Sequence, residues 1–94
     1  MKEIRWTAQY KRDLRRVLAS LRKREEFLAR HQILNTQLQE GVLLESCFCD
    51  HSLSGVWKDH RECHILPDVL LIYQISETTV NLVRLGSHSE LFKK

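Results

Sequence analysis

The sequence predicts an α+β domain in the order β-α-α-β-β-β, and three observations carry that expectation. Between Ala8 and Lys23 the apolar residues Tyr10, Leu14, Val17, Leu18 and Leu21 recur at helical spacing. A second helical stretch comes after a very short link and stops at Gly41, so the two helices should form an antiparallel hairpin. Beyond them, apolar runs rich in β-branched residues are separated by Pro67-Asp68 and Glu77-Thr78, the turn chemistry that joins antiparallel strands.

In chain order, residues 2–6 alternate and read as a short strand with Ile4 and Trp6 on one face. Thr7 suits the N-cap of the first helix; Tyr10 rather than Glu stands three residues on, so no capping box is expected. The second helix spans about 25–39, with Phe27, Leu28, Leu34 and Leu38 apolar and Glu25 and Glu26 at the end where negative charge is favoured. Residues 42–49 are apolar but irregular, with room for a short extended segment. Asp50 to Gly55 has loop chemistry. Strands are expected over 57–66, 69–76 and 79–85, and Gly86 ends the last of them. Residues 87–92 close the fold as a loop or one helical turn. The result is a small, mostly antiparallel sheet with the helical hairpin on one face. Alternation puts Glu62, His64 and Leu66 on one side of their strand, opposite Cys63 and Ile65, and puts Arg84 opposite Val83 and Leu85. His64 and Arg84 are expected to share the open face.

At 94 residues the chain is expected to be one domain, residues 1–94. No apolar run approaches the roughly 20 residues that cross a bilayer. The opening K-E-I-R-W lacks a signal-peptide core, so a cytosolic location is expected. Residues 1–24 hold nine of the fifteen Lys and Arg residues, opposed there only by Glu3 and Asp13. Such a segment attracts polyanions, and Arg12, Arg15 and Arg16 are its candidates for contacting RNA. The three cysteines, Cys47, Cys49 and Cys63, are an odd number, which speaks against a disulfide framework. Cys47-x-Cys49-x-His51 with Cys63-His64 lacks the usual zinc-ligand spacing, so buried or half-buried thiols and no metal or other cofactor are expected.

Residues 50–92 hold four of the five histidines, His51, His60, His64 and His88. Imidazole is the only side chain whose unperturbed charge change lies near neutral pH. Several imidazoles on a small sheet beside arginines suggest proton transfer on a negatively charged substrate. His31 and His60 are given no role, and Trp57, Leu71, Ile72 and Tyr73 are read as core.

The stretches D-H-S-L-S-G-V-W-K, R-E-C-H-I-L-P-D, L-L-I-Y and R-L-G-S-H-S-E-L-F resemble, as a set, the YafQ branch of the RelE/ParE toxin superfamily. That resemblance implies a ribosome-dependent endoribonuclease that cuts mRNA in the ribosomal A site without a metal. It also implies a cognate antitoxin partner, with operator DNA bound only through the antitoxin. By position it implies His51, His64, Asp68 and His88 as the catalytic groups, flanked by Arg84 and Phe92. Where the family often carries Trp after Pro-Asp, this sequence has Val69. The chemistry is consistent with those residue types. Metal-free RNA cleavage needs a base for the 2′-hydroxyl, an acid for the leaving 5′-oxygen and positive charge on the phosphate. Two histidines can be base and acid, Arg84 can grip the phosphate, and Phe92 can stack on a splayed base. Which histidine is base and which acid stays open at this level. Two other functions compete: a ParE-like toxin that inhibits DNA gyrase without catalysis, and a non-catalytic domain binding RNA or zinc.

Overall fold

The computed structural model describes residues 1–92. It contains β1 (Glu3–Trp6), α1 (Ala8–Ser20), α2 (Arg24–Glu40), β2 (His51–Ser52), β3 (Arg61–Leu66), β4 (Val69–Ile75), β5 (Thr79–Gly86) and α3 (His88–Leu91). The strands form one sheet in the order β1-β5-β4-β3-β2. β1 runs parallel to β5; the other three pairings are antiparallel. The α+β architecture expected from the sequence is therefore present.

The helix ends reflect local chemistry. The Thr7 hydroxyl accepts the Tyr10 N–H at 3.0 Å and caps α1. α1 stops at Ser20, short of the expected Lys23, because Leu21 turns extended and packs against the core. The Arg24 guanidinium then donates to the Leu18 carbonyl, one of those the helix end leaves open. α2 ends at Gly41, whose φ of 74° is the left-handed value that closes a helix against the Gln37 and Leu38 carbonyls. Its buried stripe is Phe27, His31, Leu34 and Leu38, whereas Leu28 is 48% exposed. His31 fills a buried position in that stripe, hydrogen-bonded to the Tyr10 hydroxyl and the Asn35 amide. Burial lowers its tendency to take up a proton.

The helical hairpin covers one sheet face. Tyr10, Val17, Phe27, Leu34 and Leu38 pack there on Cys63, Ile65, Leu71, Tyr73, Leu82 and Leu85. A smaller apolar cluster occupies the opposite face, where Leu70 and Ile72 meet Leu91 of α3, with Leu53, Trp57, Val83 and Phe92 around them.

Two irregularities in the ladders alter the expected alternation. Between His64 and Leu66 the β3–β4 register slips, so Leu66 joins the helix-side core instead of the side that carries Glu62 and His64. Between Ile72 and Tyr73 the β4–β5 register slips likewise, and Val83 packs on the open face while Leu85 packs under the helices. A bulge inserts one residue into one strand and shifts the phase of every residue after it, which alternation alone does not register.

The segment before β3 also differs from expectation. Residues 42–45 form no strand; Ser46–Phe48 is a 3-10 turn that buries Phe48. His51 and Ser52, expected in a loop, form the edge strand β2. The expected strand beginning at Trp57 begins at Arg61 instead. Gly55–Trp57 is a 3-10 turn, and Asp59 takes a positive φ of 68° before the ladder can start.

Candidate active site

β2 places His51 directly opposite Glu62 of β3. His64 stands two residues after Glu62, and in a strand that spacing puts both side chains on one face. The Glu62 Oε1 atom lies 3.4 Å from His51 Nε2 and 3.3 Å from His64 Nε2. The Glu62 side chain is 5% exposed, against 52% for His51 and 31% for His64. A buried carboxylate is costly unless charged or hydrogen-bonding partners meet it. Among the described residues, the two imidazoles are the only basic side chains within 4.0 Å of it. On its far side, His51 Nδ1 donates to the Cys49 carbonyl at 2.9 Å.

A second group arrives from the C-terminal end of β5. Ser87 caps α3, its hydroxyl accepting the Glu90 N–H while the Glu90 carboxylate accepts the Ser87 N–H. That backbone N–H, foremost, holds the Glu90 carboxyl below its ordinary range. Arg16 of α1 pairs with Glu90 at 3.2 Å, tying α3 to the helical layer. His88 opens α3, and its ring lies 4.9 Å from that of Phe92 between centroids. The two groups face each other across an open cleft of about 530 Å³, lined by His51, Leu53, Trp57, Glu62, His88 and Phe92 among others. Three polar groups able to move or orient protons thus stand on apolar walls, the usual build of a small active site. Trp57, read from the sequence as core, is a wall of this cleft.

The remaining expected site residues lie elsewhere. His64 stands beyond Glu62, in a hollow of about 200 Å³ shared with Arg30, Cys47 and Cys49. Asp68 is exposed in the β3–β4 turn, and a hollow of about 280 Å³ joins it to Arg16, Ser87 and Glu90. Arg84 sits in register with Ile72, which is itself in register with Glu62, so the backbone row of Glu62 does extend to Arg84. Its guanidinium, however, turns to Asp13 of α1, with Nε 2.8 Å from Oδ2.

Asp13 is fully buried and forms the hub of that contact. It accepts from Arg84, from Arg16 Nη1 at 3.0 Å, from Gln9 Nε2 at 2.9 Å and from the Leu85 N–H at 3.0 Å. Burial by itself would raise its carboxyl, but these four donors outweigh it and hold the group below the ordinary carboxylate range. The expectation that the basic residues of α1 lack acidic partners fails for Arg16, which bonds Asp13, Glu90 and the Leu85 carbonyl. Arg12 and Arg15 are exposed.

On the helix side of the sheet, Asp50 binds Arg61 through two nitrogens, Nη2 at 2.7 Å, and accepts the Tyr73 hydroxyl. Asp50 of the D-H motif is therefore a structural anchor that fixes the backbone leading into His51. Cys63 is buried, and burial pushes its thiol well up, which makes it inert. Cys47 and Cys49 are exposed, contrary to the expectation of buried or half-buried thiols. Among the described residues no three His, Cys, Asp or Glu side chains are grouped so as to hold a metal ion.

Sequence reasoning missed Glu62 and Asp13. The signal for Glu62 was present: Glu-x-His on a strand places acid and imidazole side by side. Asp13 carried none, because a lone acid among arginines on a helix reads as solvated.

A family model described as bacterial toxin of type II toxin-antitoxin system, YafQ, matches residues 2–93. The mRNA interferase toxin YafQ of Escherichia coli K12 is 34% identical over 92 residues, covering 97% of this chain and 96% of that protein. Among solved structures, a copper-bound mutant toxin from Helicobacter pylori superposes with a TM-score of 0.88 at 35% identity, covering 98% of this chain and 100% of that one. The toxin of the E. coli DinJ-YafQ toxin-antitoxin complex superposes with a TM-score of 0.83 at 28% identity, covering 97% of each chain.

Proposed function

The chain belongs to the YafQ family of bacterial type II toxin–antitoxin toxins, and from that premise we propose that it cuts messenger RNA in the ribosomal A site by histidine acid–base chemistry. It is an mRNA interferase, and its partner is a cognate antitoxin of the kind that DinJ is for E. coli YafQ. One observation carries the catalytic part: a single cleft gathers His51, Glu62, His88 and Phe92 from motifs far apart in the chain. A gyrase-binding toxin without chemistry would have no use for that set.

In the proposed reaction the 2′-oxygen of the message attacks the adjacent phosphorus while a histidine removes its proton. The bond to the 5′-oxygen breaks, and a second histidine protonates that oxygen, leaving a 2′,3′-cyclic phosphate and a 5′-hydroxyl. His51, His64 and His88 are the candidate acids and bases. Arg84 spends Nε and Nη2 on Asp13, and Nη1 is left to hold a phosphate oxygen. Phe92 stacks on a base, and Asp68, beside Ser87, orients the message from outside the cleft. Arg12 and Arg15 hold ribosomal RNA by charge, with Arg16 contributing field more than contact. No step is routed through a metal.

The test is cleavage of mRNA on translating ribosomes, with the ends mapped by primer extension and their phosphates identified. Replacing His51, His64 or His88 by Ala should each slow cleavage on the order of 10²-fold or more, the scale of one general acid or base. His60→Ala, at a ring that bonds only the Lys58 carbonyl and packs on Trp57, is the near-neutral control. Products bearing a 3′-hydroxyl and 5′-phosphate, or undiminished cutting by a folded His88→Ala protein, would sink the proposal.

A further inference from the structure

We infer that Trp57 is a nucleobase platform: its indole stacks on a base of the message and, with Phe92, holds that strand in the cleft. This rests on the reading of the cleft as the RNA site and deepens it, giving a substrate contact to a residue that the sequence reads as core.

The other aromatic rings are committed elsewhere. Tyr10, Phe27, Phe48 and Tyr73 are buried in the helix-side core. Trp6 packs edge-on against Tyr10 and His31, on the helix side as well. Among the described residues, Trp57 and Phe92 are the two aromatic side chains other than histidine that line the cleft. Both rest on the small cluster of Leu70, Ile72 and Leu91, and both stay half-buried. Each is thus anchored on an apolar floor and keeps part of its surface open to a ligand.

The backbone around Trp57 is set before any ligand arrives. Its N–H donates to the Ser54 carbonyl at 3.3 Å, and its carbonyl accepts the His60 N–H at 3.0 Å. Gly55 at φ 67° and Asp59 at φ 68° bracket the turn with left-handed steps, the second at a residue with a Cβ to accommodate. A ring held this way has little freedom left to lose on binding, which favours affinity. The indole N–H has no hydrogen-bond partner among the described residues and is not sealed in the core. A Trp N–H that is buried finds a partner as a rule, so this one is left for a polar atom that the ligand brings. A nucleobase meets both needs, with a flat π-face for the ring and acceptor atoms along its edge. Stacking accepts any base, so Trp57 sets the position and affinity of the strand rather than the choice of codon.

The test is photocrosslinking on ribosomes. The messages carry 2′-deoxyribose throughout the A-site codon, which removes the attacking hydroxyl, and 5-iodo-2′-deoxyuridine at one codon position at a time. The wild-type protein is bound and irradiated, and adducts are mapped by peptide mass spectrometry. At least one codon position should give an adduct on Trp57. Adducts confined to other residues, or none at any position, overturn the inference without any variant having to fold. In cleavage assays on unmodified message, Trp57→Leu keeps an apolar side chain on the floor but loses the stacking face. It should lower kcat/KM on the order of 5- to 100-fold, the range of one base–aromatic stack. Trp57→Phe should recover most of that loss, and the pH profile of both variants should match wild type, since no titrating group is changed. A folded Trp57→Leu protein with wild-type kcat/KM also overturns the inference. An adduct on Trp57 together with 5′-phosphate products would sink the acid–base reaction and leave the platform standing, so the two readings fail separately.

Discussion

Replacing Asp13 by Asn should unfasten the helical layer from the sheet. The change preserves volume, and the amide oxygen can still accept the Leu85 N–H, now 3.0 Å from Oδ2. What disappears is the negative charge between Arg84 at 2.8 Å and Arg16 at 3.0 Å. A hydrogen bond to a charged group contributes about 1.5–3 kcal/mol. The Arg16 and Arg84 side chains are 45% and 26% exposed, so water recovers part of that loss. The net cost should be about 2–3 kcal/mol for Asp13→Asn. For Asp13→Ala, which also orphans the Leu85 N–H, it should be about 3–5 kcal/mol. In a domain of this size about 1 kcal/mol moves Tm by roughly 4–8 °C, so the Asn variant should melt about 10 °C or more below wild type. Urea unfolding should give the same ordering with an unchanged m-value. The pH dependence supplies a second reading. The Asp13 carboxyl is held below its unfolded value, so its stabilisation is complete above about pH 4. It fades as pH falls through the lowered folded value, and Asp13→Asn should flatten that acid limb. A loss under about 1 kcal/mol, or an unchanged acid limb, would refute the hub.

Reversing Arg12 and Arg15 to Glu should weaken ribosome binding and reduce its salt slope by roughly one unit for each phosphate no longer neutralised, with thermal stability unchanged; an unaltered slope would move the RNA-binding role to another surface. Burial depresses protonation of His31, so the unfolded chain binds the extra proton first and stability should fall as pH drops below about 6.5; His31→Gln should remove that slope in urea titrations. Since a related toxin binds copper, chelator-washed protein should be compared directly with untreated protein, and equal cleavage rates are expected; a loss restored by added metal would overturn the metal-free mechanism.

Element order was legible because it rests on periodicity and punctuation. Thr7, Gly41, Pro67 and Gly86 mark ends that the backbone obeys. Register was less so. The bulges at Ile65 and Val83 have no residue signature, and each reverses the face of the residues after it. The motif histidines were legible as residues, and the structure gathers only part of them: His51 and His88 meet across the cleft, while His64 lies behind Glu62 and Asp68 lies in the turn. The two buried acids that organise the site and its frame, Glu62 and Asp13, were hidden for one reason. Their partners come from other elements, and a carboxylate's burial is decided by tertiary packing rather than by its neighbours in sequence.

The position of β5 bears on when the molecule acquires its shape. β5 lies between β1 and β4 and also receives α1, yet it emerges from the translating ribosome after all three. Until it does, β1 has no strand to pair with, and the helical hairpin lacks Val80, Leu82 and Leu85 to pack on. His88 and Phe92 emerge later still. Until β5 is available, the contacts of β1 and α1 with the rest of the sheet cannot form, and these long-range contacts close together. The cleft that His88 and Phe92 complete is therefore among the last features of the molecule to form.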